Sequence, residues 1–315
     1  MNTKKACNTY NLDYKFFAKI FNAKENDFPS LAKQVISKAN SKYQIVEGKE
    51  YDRAILRIIK TLDSKNLKTS GPHRLNDWEK GWEENLTEFK RSGYDLNQLI
   101  PKFVKEGEYI RFQDNFIDPQ SNSFETDFVI VMRYYLFNKY YKGINTLYEF
   151  GAGTGLNLVA ASEIFPNMKL VGLDWAKSSI NIINTLKEKL NINISAKFFD
   201  LFNPDEKYRL DKDSGVLTIG TLEQLGENFK PFINYLLKKK PKACINVETL
   251  YEIYNQDNLL DYLAVKYLDK RNYLRGFLPY LKSLQAKKKI KILDIRRTFG
   301  SFYHDGYSYI VWKPI

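Results

Sequence analysis

Two cysteines and two histidines in 315 residues leave little room for two kinds of chemistry. Cys7 and Cys244 are too few and too far apart to build a disulfide framework. With only His73 and His304 beside them, and no CxxC or HExxH pattern, no protein-bound transition metal is expected. No apolar run reaches the roughly 18–20 residues that a membrane span takes. The opening stretch MNTKKACNTYNLDYKFF has two lysines but no apolar segment behind them, so it does not read as a secretory signal, and a cytoplasmic location is the default expectation. Internal repeats and low-complexity tracts are also missing, which excludes a solenoid or a linker-like chain.

What is present is apolar and aromatic, 43% and 15% of residues, enough to offset the entropy of ordering most of the chain. The length fits two domains or one decorated domain. A net charge of +12 invites a polyanionic partner, but it is unevenly spread: +5 over residues 1–145, −2 over 146–237 and +9 over 238–315. Lys238, Lys239, Lys240 and Lys242, then Lys287, Lys288, Lys289 and Lys291 with Arg296 and Arg297, supply the excess. Such clusters at element ends read as a solvated rim, or as a phosphate-binding surface.

The first 144 residues lack strand alternation and read as a mainly helical region, with residues 145–315 as a second domain. Ile55, Leu56, Ile58, Ile59 and Leu62 recur at helical spacing. Asn76 or Asp77 is the expected N-cap of a helix whose Trp78, Trp82, Leu86 and Phe89 form a core stripe, and a further helix spans about 126–139. From Thr146 short apolar runs alternate with amphipathic helices, the pattern of βαβ units and a parallel sheet. Strands are expected at 146–150, 169–174, 195–200, 215–220 and 242–248, with helices near 156–165, 177–190 and 227–239, a weak helical turn at 205–210 and a helical region over 255–285. KIKILDIRRTFG and GYSYIVWKP then close the chain as an antiparallel pair joined through SFYHD, making seven strands.

Where the first of these strands turns into its helix stands Glu149-Phe-Gly151-Ala-Gly153-Thr-Gly155-Leu-Asn157. Glycines there allow positive φ and a close approach of ligand to backbone. Asp174, 19 residues beyond Gly155, is placed to accept from both hydroxyls of a ribose. A dinucleotide site wants GxGxxG; here the spacing is GxGxG, with Leu156 in place of the third glycine. Glu149 would also repel a pyrophosphate, whereas it suits the ammonium end of an amino acid. Asp200 and Leu201, closing the third strand, can meet an adenine through an acceptor, a backbone donor and an apolar contact.

In this order the motifs EFGAGTG, VGLDW, FFDL and TIGTLEQLG resemble the class I S-adenosylmethionine-dependent methyltransferase family over about residues 145–315. The resemblance implies an α/β fold, a seven-stranded Rossmann-like sheet with an antiparallel last strand, preceded by the helical region as a substrate-selecting cap. It implies S-adenosylmethionine as cofactor, with Glu149, Gly151, Gly153 and Gly155 around the methionine moiety, Asp174 on the ribose, and Asp200 with Leu201 at the adenine. Trp175 either stacks on the adenine or caps a helix as a core aromatic. Gly220, closing the fourth strand, borders donor and acceptor.

Methyl transfer is an in-line displacement that demands positioning and, for a weak nucleophile, removal of a proton. The fourth strand ends in Gly220-Thr221-Leu222-Glu223-Gln224, without the N/D-P-P-Y/F motif of enzymes acting on base amines or glutamine side chains, and no acid cluster for a catalytic Mg²⁺ is evident. Candidates for proton handling are His304, in a loop on the expected acceptor side, Glu223 and Gln224, and Glu248 with Glu252, one helical turn apart. Arg111 and Asn115, read as loop residues, are expected acceptor contacts, amid Trp78, Trp82, Tyr109, Phe112 and Phe116. The expected acceptor is a small or medium molecule or a peptide side chain methylated on O or N. RNA bound by the basic tail, and a non-catalytic cofactor-binding protein, are the alternatives.

Overall fold

The computed structural model describes residues 8–112 and 114–315; Cys7 lies outside them. The amino-terminal region carries helices α1 (Tyr14–Ile20), α2 (Ser30–Lys38), α3 (Gly48–Asp63), α4 (Leu75–Arg91) and α5 (Phe124–Tyr140). It also holds a four-stranded sheet absent from the sequence reading: β1 (Thr9–Asn11), β2 (Lys42–Ile45), β3 (Ile110–Phe112) and β4 (Asn115–Pro119), in the order β1-β2-β4-β3 with every neighbour antiparallel. Strands of three to five residues are too short to show alternation, and β3 is buried along its whole length. Helix α4 starts at Leu75, directly after a 3-10 turn over Pro72–Arg74, so Asn76 and Asp77 fall inside its first turn and do not cap it. Asp77 instead pairs with Lys68 and Arg74.

The remainder alternates as expected: β5 (Thr146–Phe150), α6 (Leu156–Ile164), β6 (Lys169–Asp174), α7 (Lys177–Leu190), β7 (Ile194–Phe198), β8 (Ser214–Ile219), α8 (Lys230–Lys239) and β9 (Ala243–Val247). Then follow α9 (Leu259–Arg271), α10 (Phe277–Ala286), β10 (Ile290–Arg296) and β11 (Tyr309–Pro314). The region expected to be helical over 255–285 is two helices, because Asn272 turns left-handed at φ 54° and Gly276 at φ 79°. No helix forms over 205–210. The seven strands form one sheet, β10-β11-β9-β8-β5-β6-β7; β11 runs antiparallel to both its neighbours and all other pairs are parallel. Strands β5 and β9 are buried on every residue, as a parallel sheet covered on both faces requires.

One apolar cluster crosses the line at residue 144: Leu12, Phe17, Phe21 and Phe128 share it with Leu147, Phe299 and Tyr309. Phe21 stacks on Tyr135 at 4.7 Å, and the Tyr135 hydroxyl donates to the Phe21 carbonyl at 3.0 Å. A second join is ionic. Arg111 is on β3, not in a loop, and is 1% exposed; it donates to Asp261 Oδ1 and to the Leu260 carbonyl, each at 2.7 Å, with Asp305 Oδ1 at 3.5 Å. Arg297 reaches the same carboxylates, Asp261 at 2.6 Å and Asp305 at 2.8 Å. The chain after β10 also adds to the edge of the small sheet, Arg111 N–H donating to the Ser301 carbonyl and Gly300 N–H to the Arg111 carbonyl.

Removing one partner of such a buried group leaves uncompensated charge, at a cost of about 3–5 kcal/mol. Arg111→Met is therefore expected to lose stability of that order in urea unfolding; a loss under about 1 kcal/mol would refute the ionic join.

Candidate functional site

The site is built at the carboxyl ends of β5, β6 and β8. Glycines 151, 153 and 155 all take positive φ, at 69°, 53° and 75°, and Gly155 opens helix α6. The positive φ expected of these glycines is present, and beside the close ligand approach also expected there, the structure shows a nearer steric need. A Cβ on Gly151 would stand 2.2 Å from Thr221 Cγ2, one on Gly153 3.0 Å from the Trp82 ring, and one on Gly155 3.1 Å from Ile183 and Leu186. The glycine that does face open space is Gly220, at φ 60° with nothing within 4 Å of a Cβ.

Trp82 stacks on Trp78 at 5.5 Å, and both rings are only partly buried. The stripe expected to be core on α4 is so only in its second half, at Leu86 and Phe89; its first half covers the glycine turn. From α4, Glu79 accepts from Lys177 N–H at 2.7 Å and Ser178 N–H at 2.9 Å, satisfying the amino end of α7.

Asp174 ends β6, almost wholly buried. Its Oδ2 accepts from Gly153 N–H at 2.9 Å and its Oδ1 from Ala176 N–H at 2.8 Å. Against the upward push of its burial, Ser179 and the Trp175 N–H also favour the ionised form of this carboxyl. Trp175 lies against Phe202 at 5.4 Å, two rings at adjacent strand ends. Asp200 is half-buried and turns its own loop, Oδ1 accepting from Phe202 N–H and Oδ2 from Asn203, with half-buried Leu201 between.

Glu149, at the end of β5, is fully buried. Oε1 accepts from Asn157 at 2.5 Å, while Oε2 has no partner. Desolvation pushes its carboxyl up to about 8, against the opposing pull of Asn157 and Arg133. Arg133, on α5, also keeps a buried Nε without a partner, and its pKa is lowered by desolvation although Glu149 is within electrostatic reach. The two form no ion pair. Sequence reasoning missed Arg133, although a lone cation inside the apolar run FVIVMRYYLF was a readable signal.

Beyond β8 the turn is held by Glu248. Its carboxylate accepts from Thr221 N–H at 3.2 Å and Glu223 N–H at 3.3 Å, and burial raises it to about 7. It and Glu252 are not neighbours on a helix: Glu252 lies in a 3-10 turn and accepts from Gly276 N–H. Glu223, in the same turn, is half-buried and within electrostatic reach of Arg271 and Tyr273. Burial first, then repulsion from Glu248, raises it to about 8, and Gln224 donates to it at 3.2 Å.

His304 is stacked on Tyr267 and edge-on to Tyr273, both at 5.7 Å, with Nδ1 buried and unpartnered. Burial, with Arg111 and Arg271 nearby, lowers its pKa to about 3, so the expected base is a neutral imidazole that holds a proton poorly. Arg111 is spent on the ionic join, and Asn115 stands exposed on β4, in register with Phe112. Tyr267, Tyr273 and Arg271 pack around His304 without having been singled out in the sequence, where nothing distinguishes them from other aromatics and cations of a rim.

A seven-stranded, mostly parallel sheet in this order, with its last strand antiparallel and inserted, is a Rossmann-like fold. No family model matches the chain, and no curated protein does. Solved structures similar to it include an O-methyltransferase of neocarzinostatin biosynthesis in complex with S-adenosylmethionine and 2-hydroxy-5-methyl naphthoic acid, at 11% identity and TM-score 0.40 over 61% of this chain and 58% of that one. An O-methyltransferase family 2 protein from Planctomyces limnophilus in complex with apigenin is similar at 10% and 0.43, over 86% and 98%. A riboflavin-analogue dimethyltransferase from Streptomyces davawensis is similar at 13% and 0.40, over 82% and 73%. The chain thus spans less than two thirds of the length of the first of these. Among the described residues no helix is long and apolar enough to cross a membrane, and no group of three or more His, Cys, Asp or Glu is placed to hold a metal.

Glu149, Glu223 and Glu248 keep their protons in the folded state up to about pH 7–8 and release them near 4.5 when unfolded. The folded state binds more protons between those values, so these groups make stability fall as pH rises from about 4.5 to 8. His304 acts oppositely below pH 6.5, where the unfolded state takes the extra proton. Unfolding midpoints measured across pH 4.5–8 should fall, and Glu149→Gln should flatten that fall; an unchanged slope in the variant would contradict the assignment.

Proposed function

We propose that the protein is an S-adenosylmethionine-dependent methyltransferase acting on O or N of a small or medium acceptor. Residues 145–315 are then the catalytic domain and residues 1–144 a cap over it. The observation that carries this reading is the pair of unsatisfied groups beside the glycine turn, a carboxyl that burial keeps protonated to about pH 8 and a guanidinium: Glu149 Oε2 and Arg133 Nε, buried, within electrostatic reach, and unpaired. An amino acid's ammonium and carboxylate are the complement of that pair. Asp174, at the end of β6, suits ribose hydroxyls, and the Trp175–Phe202 rings with Asp200 and Leu201 suit an adenine. When bound, S-adenosylmethionine supplies an electrophilic methyl group on a sulfonium.

Gly220 leaves room at the end of β8, and Glu223 stands three residues on. A carboxyl held near 8 is matched to take a proton from a hydroxyl or an amine close to neutrality. Glu248 positions Glu223 through the backbone of the turn, and neutral His304 offers a hydrogen bond to the acceptor. An RNA acceptor is not favoured: Lys238 and Lys242 are paired with Glu206 and Asp213, and Lys240 reaches the Ile315 carbonyl, so much of the first basic cluster serves the fold.

Calorimetry with S-adenosylhomocysteine tests the reading. The wild-type protein is expected to bind, and Asp174→Ala to weaken binding at least tenfold, or about 1.4 kcal/mol. Unchanged affinity in the variant would remove the ribose assignment. Binding without turnover on any acceptor would favour a non-catalytic cofactor-binding protein.

A further inference from the structure

Most arginines that are recessed in this protein are matched by a carboxylate: Arg111 and Arg297 by Asp261 and Asp305, Arg296 by Asp294, Arg74 by Asp77. Among the described residues, two half-buried arginines have no ion pair and keep a buried Nε–H without an acceptor, Arg133 and Arg271. Arg133 faces Glu149 beside the glycine turn. Arg271, the last residue of α9, stands on the acceptor side. Its guanidinium lies over the rings of Tyr273 at 4.8 Å and Tyr267 at 5.8 Å, and one Nη donates to the Tyr273 hydroxyl at 2.7 Å.

These rings and Arg271 form one wall with His304, and the wall continues to Glu223. Tyr273 and Glu223 are within electrostatic reach of one another, as are Arg271 and Glu223, yet Arg271 forms no ion pair with that carboxylate. Gln224, which donates to Glu223, keeps a buried Oε1 without a donor. This group of side chains thus carries a guanidinium and a carboxyl with stacked aromatic rings between, and it leaves the guanidinium's Nε–H unsatisfied. A buried donor of that kind is costly unless a ligand meets it, and a guanidinium meets a carboxylate or a phosphate best.

We propose that Arg271 is the anion-recognition residue of the acceptor site, and that the acceptor is a small molecule with a planar ring whose carboxylate or phosphate pairs with Arg271 while its hydroxyl or amine turns toward Glu223. The inference rests on the methyltransferase reading for the position of the acceptor. It goes beyond that reading in fixing the acceptor's charge and the residue that selects it.

The test is a titration of the full-length protein, with and without S-adenosylhomocysteine, with 4-hydroxybenzoate, phenyl phosphate and the neutral 4-hydroxybenzamide as probes. At least one anionic probe is expected to bind the loaded protein tenfold or more tightly than the amide, and the stronger of the two identifies the anion. Arg271→Gln is expected to erase that preference while S-adenosylhomocysteine affinity stays within twofold. Equal binding of anion and amide, a preference that survives Arg271→Gln, or no binding of any probe overturns the proposal. Should Arg271→Gln also lose S-adenosylhomocysteine, Arg271→Lys decides: it keeps the charge but not the fork, and a preference that fails to drop at least threefold contradicts the assignment. Failure of the wild-type protein to bind S-adenosylhomocysteine would instead count against the methyltransferase reading.

Discussion

The hydrogen bond from Gly153 N–H to Asp174 Oδ2 is the contact on which the site depends. It ties the turn after β5 to the end of β6, and it forms only because glycines 151, 153 and 155 hold left-handed backbone that side chains would strain. From that clamp follow the burial of Glu149 below the turn and the seat that Trp82 and Thr221 find against the loop. The amino-terminal region is bound into the same arrangement. Glu79 satisfies the first turn of α7, and Trp82 leans on Gly153.

Polar groups are treated in two ways in this interior. The cluster of Arg111, Arg297, Asp261 and Asp305 is closed: each carboxylate oxygen meets a cation or a backbone donor, and the cluster joins the small sheet to α9 and to the loop that carries His304. One of its atoms, Arg111 Nε, still lacks a hydrogen-bond partner, and five more such atoms belong to the groups around Glu149 and Glu223. Glu149 Oε2, Arg133 Nε, Gln224 Oε1, Arg271 Nε and His304 Nδ1 are buried without partners. Buried polar atoms are satisfied almost everywhere in folded proteins, so a concentration of unsatisfied ones marks where a ligand completes the structure.

The large sheet was legible in the sequence because most of its strands are near-continuous apolar runs; four of the seven were placed within one residue at each end, as at 146–150 and 169–174, while the third and the closing pair were drawn too long by two to four residues at one end. The glycine turn and Asp174 were legible because their spacing is fixed by the geometry of a βα unit. The small sheet was not, since strands of three to five residues carry no period. Arg111 misled for the same reason: lying in an undetected strand, it was read as a free loop cation when its guanidinium closes a buried cluster. His304 misled through chemistry. Its residue type suggested a base near neutrality, whereas stacking among tyrosines and nearby arginines removes its affinity for a proton. Glu248 and Glu252 share a four-residue spacing but not a helix, so the spacing carried no shared face.

The account stands on the claim that the glycine turn and its unsatisfied charges receive an amino-acid-bearing nucleoside. A crystal structure of the protein with S-adenosylhomocysteine tests it most directly. The account predicts the ligand's ammonium at Glu149 Oε2, its carboxylate toward Arg133, and its ribose hydroxyls on Asp174. Density for the ligand elsewhere, or a bound ligand that leaves Glu149 and Arg133 untouched, would contradict it.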